Sequence, residues 1–403
     1  MVNLDLLFAI IFYGILIIWF LKQRNRFEVH GKIVALYKTK IGLKLMDRLA
    51  NIAPRFTNVL GHIGTVVGFA GMAVIFYFLT KGTVDLLLIP DAAPAVAPVL
   101  PGIRVPGLPV LSFWHWILGI FFVATVHEFS HGIWARLYKL KVKSSGILFF
   151  GPILGAFVEP DEKQMAKISK PKQLAVFSAG PFSNIIFGFI FLLLINFATG
   201  PFYNGLYDGV GIEINEITDG FPAANAGIEA PVVLTAINGV PTISFDSFLN
   251  ATKDITPNKQ LILSTDKGEF NLVAGTNPDN ASRGFIGVAD FSLKREVKDG
   301  IVEKYGAWFS AVFTWVHMLI FWLVIINFGI GLFNLLPLGP IDGGRMFLTA
   351  MEGIFKDKKR AHKVWAFVSF FCLLLIFINL APYLWQLLLW LLKPVMMLGA
   401  FLG

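Results

Sequence analysis

Charged residues and cysteine are scarce in this chain. Asp, Glu, Lys and Arg together make up 15% of its 403 residues, whereas 56% are hydrophobic and the mean hydropathy is +0.68. Soluble domains carry about a quarter of their residues as charged groups, so an ordinary cytosolic protein is excluded. The one cysteine, Cys372, excludes internal disulfide bonds and a zinc site built from several thiolates.

The charges that are present are mostly basic. Lys and Arg number 34 against 26 Asp and Glu, which gives a net charge of +8 at pH 7. They are concentrated between apolar runs, in residues 22–55, 136–172 and 356–363, as expected when Lys and Arg mark the cytoplasmic side of a membrane. The charge therefore indicates membrane orientation, and no nucleic-acid partner is expected.

Six apolar runs are long enough to cross a bilayer as helices, which takes roughly 20 residues. They comprise residues 4–21, 63–79, 111–134, 174–197, 308–333 and 364–380. A seventh run, residues 383–402, either spans the membrane or lies in the interface, because it contains Lys393 and Pro394. Basic residues follow the first run, so we interpret it as an anchor with its N-terminus outside.

Alternation of these spans predicts a multi-pass protein of the cell membrane, in contact with lipid, with the Pro-rich residues 84–110 and the polar residues 200–305 outside. The chain then divides into an N-terminal membrane region (1–110), a membrane core in two parts (111–199 and 306–345), an external domain (200–305) and C-terminal membrane helices (346–403).

Residues 205–298 have the composition of a small soluble domain. Short β-branched runs at 232–237, 261–264 and 270–273 are separated by Gly, Asn and Asp turns. Segments 209–214, 220–227 and 236–240 resemble a PDZ domain, which binds an extended chain at a sheet edge and captures a C-terminal carboxylate with backbone amides. The resemblance implies a carboxy-terminal peptide as partner, with contacts from Gly209, Val210, Gly211 and Ile212.

His127, Glu128 and His131 form an HExxH motif inside the third apolar run. Two imidazoles at i and i+4 share a helix face and can bind one zinc ion, while the Glu is close enough to take a proton from a water at the metal. An ionisable residue in hydrocarbon costs about 2.5 to 3.5 kcal/mol, which a metal compensates. The alternative, a wet motif beyond the membrane edge, is disfavoured because His127 lies only about 24 Å along the helix from residue 111.

A catalytic zinc ion needs a third protein ligand and an open position. Asp342 is the best candidate, because it follows Asn334, Pro337 and Pro340 in a stretch that interrupts the fifth apolar run. Irregular backbone at membrane depth is tolerated only beside protein or a water-filled cavity. The alternative is that Asp342 is solvated at a helix end.

Together the two motifs resemble the site-2 protease family of intramembrane zinc metalloproteases, peptidase family M50. The family's second motif, Asn-x-x-Pro-x-x-Pro-x-Asp-Gly, is matched in full by residues 334–343, and the string from Gly180 to Asn184 also belongs to the resemblance, which covers residues 111–345. The resemblance implies one Zn²⁺ per chain. It also implies roles for individual residues: His127, His131 and Asp342 as ligands, Glu128 as general base and proton donor, and Asn334 as a group that positions substrate or stabilises the oxyanion.

Residues 144–158 are apolar but too short to cross the membrane, and Gly151 and Pro152 lie in their middle. We expect a re-entrant β-hairpin, similar to the membrane-inserted β-loop of family members, whose strand edge extends a substrate backbone by β-augmentation. Gly151, Pro152 and Asn184 are the candidate substrate contacts in the membrane. An interfacial loop packed on its neighbours is the alternative.

These features predict a polytopic α-helical membrane protein of six or seven spans, with a re-entrant β-hairpin and an external PDZ-like α+β domain. The resemblance implies an endopeptidase that cuts transmembrane proteins or peptides near the cytoplasmic side, with the external domain admitting substrates already shortened. Two other functions stay open: a membrane zinc transporter, from which a repeat is expected, and a PDZ-based scaffold. A zincin that trims prenylated proteins is disfavoured, because no Glu lies in a matching downstream motif.

Overall fold

The computed structural model describes residues 4–31, 33–89, 92–102, 105, 108–278, 280–355 and 357–402. Asp91 and Arg104 of the Pro-rich segment and Lys356 of the third basic stretch lie outside the described residues. The chain forms two compact units, one made of Met1–Leu193 with Met318–Gly403 and the other of Leu194–His317.

Helices dominate the part of the chain that is described. The α-helices there are α1 Leu4–Lys22, α2 Leu43–Ile52, α3 Pro54–Leu88, α4 Phe113–Leu137, α5 Glu162–Met165, α6 Lys170–Leu194, α7 Gly200–Leu206, α8 Pro222–Asn225, α9 Phe245–Lys253, α10 Asp299–Tyr305, α11 Ala307–Phe333, α12 Asp342–Ile354 and α13 Lys358–Leu402. A π-helical segment, Ile195–Thr199, joins α6 to α7.

Six helical stretches within the described ranges are long and apolar enough to cross a membrane: Asp5–Lys22, Pro54–Leu88, Phe113–Leu137, Lys170–Leu206, Ala307–Phe333 and Lys358–Gln386. They confirm the six runs that the sequence predicts as helical spans.

Two helices are longer than the apolar runs predicted from the sequence. Residues 84–88, assigned to the external Pro-rich segment, are the last turn of α3. No break separates the sixth apolar run from the seventh, because α13 continues through Pro382 to Leu402. In an apolar environment, ending the helix would leave more backbone groups without hydrogen-bond partners than one proline does. Helices in such an environment therefore tolerate proline.

The strands of the described residues are β1 Phe27–His30, β2 Val34–Thr39, β3 Val142–Phe150, β4 Ile153–Pro160, β5 Tyr207–Ile217, β6 Val232–Ile237, β7 Val240–Pro241, β8 Gln260–Thr265, β9 Gly268–Val273, β10 Gly275–Asn277, β11 Asn280–Phe285 and β12 Val288–Val297.

The first unit contains an antiparallel sheet in the order β1-β2-β3-β4. The expected hairpin is the β3–β4 pair, which turns at Gly151 in a left-handed conformation with φ +55°. The sequence analysis did not predict β1 and β2 and treated their residues as part of a basic loop. Trp19 of α1 packs on Tyr37 and Phe149 at centroid distances of 5.1 and 5.8 Å, so α1 lies against this sheet.

Four glycines of α3, spaced three or four residues apart, let neighbouring helices approach its backbone. Gly61, Gly64, Gly68 and Gly71 are buried. A Cβ on Gly61 would lie less than 3.0 Å from the indole nitrogen of Trp134 on α4, and one on Gly64 would lie 2.9 Å from Phe182 on α6. This close packing holds α4 and α6, which carry the metal centre described below, against the same helix.

The second unit is built around a sheet in the order β12-β5-β6-β8-β9, with β7 paired to β6. Its core consists of buried aliphatic side chains, among them Ile212, Leu234 and Leu261. β6 covers the same six residues as the first run predicted as a strand. Phe248 of α9 packs on Phe291 of β12 with the ring centroids 5.3 Å apart.

Candidate metal centre

Three potential metal ligands converge in the first unit. His127 Nε2 lies 2.8 Å and His131 Nε2 lies 3.2 Å from Oδ2 of Asp342, and the three ligand atoms all lie within 4.8 Å of one another. The side chains of the two histidines and the aspartate are 8%, 10% and 14% exposed. Two ligands of a tetrahedral zinc ion at about 2.0 to 2.1 Å lie about 3.3 Å apart, so this set of nitrogen and oxygen donors fits zinc.

The two histidines owe their positions to a regular helix. The side chain of Ser112 caps the start of α4, and the helix then runs 25 residues without interruption. His127 and His131 are therefore one turn apart on the same face, with ring centroids separated by 4.8 Å.

Hydrogen bonds at the Nδ1 atoms orient the imidazoles. His131 Nδ1 lies 2.7 Å from the carbonyl oxygen of Val176. Because a carbonyl only accepts, His131 Nδ1 carries the proton of this hydrogen bond, and Nε2 is the ring atom that can bind a metal. Nδ2 of Asn184 lies 3.1 Å from His127 Nδ1, and Oδ1 of the same amide is buried with no hydrogen-bond partner. With the amide turned by 180°, Oδ1 would accept the Nδ1 proton and leave Nε2 of His127 for the metal.

Gly180 of α6 leaves room at the ligand atoms. A Cβ at this position would lie less than 3.0 Å from Nε2 of both His131 and His127. Any larger residue would therefore fill the space between the two nitrogens and Asp342. This opening, together with the donor set, is what a bound metal ion requires.

Asp342 follows a segment that has no regular secondary structure. α11 ends at Phe333, and α12 begins at Asp342 itself. The amide of Gly343 donates to the carbonyl oxygen of Asn334 at 2.7 Å, which joins the two ends of the segment. A Cβ on Gly343 would meet the backbone of Leu335 and Leu336 at less than 3.0 Å, so only glycine permits this approach.

Glu128 and the three ligands open into one cavity of about 580 Å³. Oε2 of Glu128 accepts a hydrogen bond from the amide of Val158 on β4 at 3.0 Å. Apolar groups of α4, α6, β4 and α11 form most of the wall, and Asn334 lines it close to Asp342. The cavity therefore combines an apolar wall with a few converging polar groups, as binding sites commonly do.

Charged residues of the cavity wall form ion pairs. Arg345 lies 3.4 Å from Glu162, and Lys38 of β2 lies 3.2 Å from Glu159 of β4. The hydroxyl of Ser144 donates to Glu159 at 2.7 Å and, with Lys38, holds the pKa of that carboxyl below its usual value. Glu159 is thus a carboxylate near neutral pH and balances the basic side chains beside it.

The structure brings together five of the site residues that the sequence predicts: His127, Glu128, His131, Asn334 and Asp342. The other predicted site residues lie outside this group. Asn184 is completely buried against His127, so its contact is with a ligand and a substrate cannot reach it. Gly151 and Pro152 lie at the tip of the β3–β4 hairpin and line a separate apolar recess beside α1.

Residues 209–212 lie inside β5, which pairs with β12 along this stretch and with β6 only from Ile212 onward. Gly211 and Ile212 are opposite Lys294 and Leu293 of β12, and Ile212 is also opposite Leu234 of β6. Ile212 therefore has a strand on each side, whereas Gly209 and Gly211 pair with β12 alone and Val210 lies at a register shift in that pairing. Peptide capture by these four residues stays a prediction. The sequence analysis took this segment alone and had no signal for the pairing of β12 with it.

Sequence reasoning also missed two backbone groups of the site. The carbonyl of Val176 orients His131, and the amide of Val158 binds Glu128. Neither has a side-chain signature, since any residue supplies a carbonyl and any residue except proline supplies an amide hydrogen.

Comparison with known proteins finds two kinds of similarity. The family model described as peptidase family M50 matches residues 115–376, which include every residue of the metal centre. An uncharacterized protein of Methanocaldococcus jannaschii is 26% identical over 362 residues, covering 88% of this chain and 87% of that protein.

Two bacterial proteases match a smaller part. The zinc metalloprotease RasP of Shouchella clausii is 25% identical over 239 residues, which cover 49% of this chain and 54% of that protein. The regulator of sigma-W protease RasP of Bacillus subtilis is 23% identical over 274 residues, covering 55% and 63%. The match thus spans less than two thirds of the length of either RasP protein.

Proposed function

Because this chain belongs to peptidase family M50 and is a zinc metalloprotease, we propose that it hydrolyses peptide bonds within or beside the transmembrane segments of other membrane proteins. One observation carries this proposal. His127, His131, Asp342 and Glu128 open into a single cavity whose wall is formed by apolar helices and a strand of a four-stranded sheet.

His127, His131 and Asp342 would hold one zinc ion, which polarises a peptide carbonyl and makes water a stronger nucleophile. Glu128 lies on the next position of the same helical turn as His127 and faces the cavity. We assign it the role of accepting a proton from the attacking water and passing it to the amine that leaves. Asn334 lines the same cavity and is the group assigned to hold the substrate carbonyl through its side-chain amide.

β4 is the strand on which we expect substrate to lie. Ile153 and the residues from Gly155 to Pro160 line the cavity, and β3 pairs with the opposite side of the strand. A peptide must be extended for its carbonyl to be attacked, and an added strand satisfies that requirement through backbone hydrogen bonds. The amide of Val158 already donates to Glu128, so a substrate strand would pair with β4 at residues next to the catalytic base.

We propose that the second unit selects substrates by their external ends. The sheet order makes β12 an outer strand, with α9 packed beside it through Phe248 and Phe291. An extended chain end would bind along β12, instead of along β5 as the sequence indicates. A synthetic peptide with a free carboxylate should then compete with a shortened substrate, whereas the same peptide with an amidated end should not; equal effects of the two peptides argue against this role.

The proposed orientation has the N-terminus and the second unit outside the cell and the metal centre nearer the cytoplasmic side. It rests on the basic residues of 22–55, 136–172 and 356–363. Cysteine introduced at the exposed Ser282 should react with a membrane-impermeant maleimide in intact cells, and cysteine at the exposed Lys359 should react only after lysis. The native Cys372 is buried and gives little background.

The function is tested by cleavage of a transmembrane reporter in detergent or liposomes, comparing wild type with Glu128→Gln and Asp342→Ala. Wild type should cut the reporter. Glu128→Gln should retain zinc and lose activity by two orders of magnitude or more, and Asp342→Ala should lose both zinc and activity. If wild type binds zinc and cuts none of several reporters, the protein is not an endopeptidase of this kind, and zinc transport into liposomes becomes the next assay.

A further inference from the structure

The segment that carries Asp342 contains few hydrogen bonds of its own. Between Asn334 and Ile341 the two prolines have no amide hydrogen, and Gly339 has a left-handed backbone with φ +31°. Leu338 donates to Leu336 at 2.7 Å and Ile341 donates to Leu338 at 3.3 Å. A segment with so little internal structure needs contacts from elsewhere to hold the carboxylate in one place.

Ser369, on the buried face of α13, supplies two such contacts. Its hydroxyl oxygen accepts a hydrogen bond from the amide of Gly339 at 3.0 Å, and its hydroxyl hydrogen is donated to the carbonyl oxygen of Pro337 at 3.2 Å. The residue is 9% exposed. One small side chain thus bonds two backbone groups of the segment, on both sides of Leu338.

We propose that Ser369 is a positioning residue for the third ligand: by binding Pro337 and Gly339 it keeps the segment in the form that brings Asp342 to His127 and His131. This inference rests on the zinc site of the proposed function. The connection is short, because the carbonyl oxygens of Leu338 and Gly339 pack against Gly344, two residues beyond Asp342. A shift of the Pro337–Gly339 backbone therefore moves the start of α12.

Apolar packing alone does not fix the same position. Leu336, Leu338 and Ile341 belong to one apolar cluster with Leu79 of α3 and Leu375 and Ile376 of α13. Such contacts are non-directional and allow small displacements of the backbone. The hydroxyl adds direction, since a hydrogen bond weakens steeply when its angle changes.

Zinc affinity is the measurement that tests this role. Purified full-length protein is titrated with zinc against a chromophoric chelator, and thermal unfolding is recorded on the same samples. Ser369→Ala and Ser369→Val should bind zinc about ten times more weakly or worse, the usual cost of losing a group that supports a ligand. Ser369→Thr, which matches Val in shape and keeps the hydroxyl, should remain within about twofold of wild type.

Ser310→Ala is the matched control. Ser310 is 3% exposed, and its hydroxyl donates to Ala307 within its own helix. This variant should keep the wild-type zinc affinity. Equal losses for Ser369→Thr and Ser369→Val would assign the effect to side-chain shape and overturn the proposal, as would a lower unfolding temperature in Ser369→Ala with unchanged zinc affinity. Wild type that binds no zinc would instead overturn the proposed metal site itself.

Discussion

α4 brings His127 and His131 together through helical periodicity, whereas Asp342 reaches the same point through a segment with no regular backbone. The helical half needs support only for the direction of each ring, which Val176 and Asn184 provide. The irregular half needs support for the backbone itself, which Gly343 and Ser369 provide. The difference shows that the local sequence of a helical motif almost fully determines the geometry of its ligands. The geometry of a motif in a loop depends on residues elsewhere in the fold.

The largest effect is expected where the two halves meet. Gly180→Ala would place a methyl group against both Nε2 atoms, so either the ligands separate or the metal position is filled. Zinc binding and reporter cleavage should fall by two orders of magnitude or more. Gly329→Ala, on α11 with open space around its Cβ position, should leave both unchanged. Normal zinc binding by Gly180→Ala would show that the centre is wider than described.

The irregular half is tested by Gly343→Ala. The added Cβ would press on the backbone of Leu335 and Leu336, which side-chain movement cannot relieve. We expect a tenfold to hundredfold weaker zinc affinity, because Asp342 is the adjacent residue. Chelator competition measures it, and an unchanged affinity would mean that the segment adapts without moving the carboxylate.

Substitutions of Asn184 test the helical half. Losing the contact that orients His127 is expected to weaken zinc affinity about tenfold. Asn184→Ala removes the partner of His127 Nδ1 and should weaken zinc binding by that amount. Asn184→Asp places a carboxylate oxygen where it can accept the Nδ1 proton and should restore most of the affinity. If the Ala and Asp variants behave alike, the amide at this position does not orient the imidazole.

The smallest effect lies in the sheet, away from the ligands. Ser144→Ala removes the hydrogen bond that contributes most to the lowered pKa of Glu159. A carboxyl whose pKa is lowered by folding adds stability above its unfolded pKa, and this stability is lost as the pH falls through the folded pKa. The variant should therefore be less stable at pH 7, by under about 1 kcal/mol because Glu159 is partly exposed, and the difference from wild type should shrink as the pH falls below the unfolded pKa of a glutamate. A thermal destabilisation that stays constant as the pH is lowered would contradict this linkage.

The sequence predicts the helical half of the centre well, since i, i+4 spacing in an apolar run leaves few other arrangements for His127 and His131. Asp342 was predicted as a ligand from the motif of residues 334–343. The contacts of Ser369 that support Asp342 could not be predicted from the sequence, because these hydrogen bonds join positions 30 and 32 residues apart in the chain. Nothing in the local pattern around a serine in an apolar helix distinguishes it from one that bonds its own helix.

Sheets were predicted less completely than helices for a related reason. The β3–β4 hairpin is local, with Gly151 at its turn, and its signal is visible in the sequence. β1 and β2 are short and interrupted by charged residues such as Glu28 and Lys38, which pair with each other in the folded sheet. The pairing of residues 209–212 with β12 was not predicted, because β12 comes about 80 residues later in the sequence.

The sheet of the first unit has a consequence for how the protein is made. Thr39 of β2 bonds to Ser145 of β3, which is 106 residues further along the chain. At a synthesis rate of roughly 5 to 20 residues per second, β2 waits on the order of 5 to 20 s for its partner. During that interval its unpaired edge is open to aggregation and to proteolysis. Ribosome pausing between these strands should therefore lower the yield of folded enzyme more than pausing after β4, when the sheet is complete.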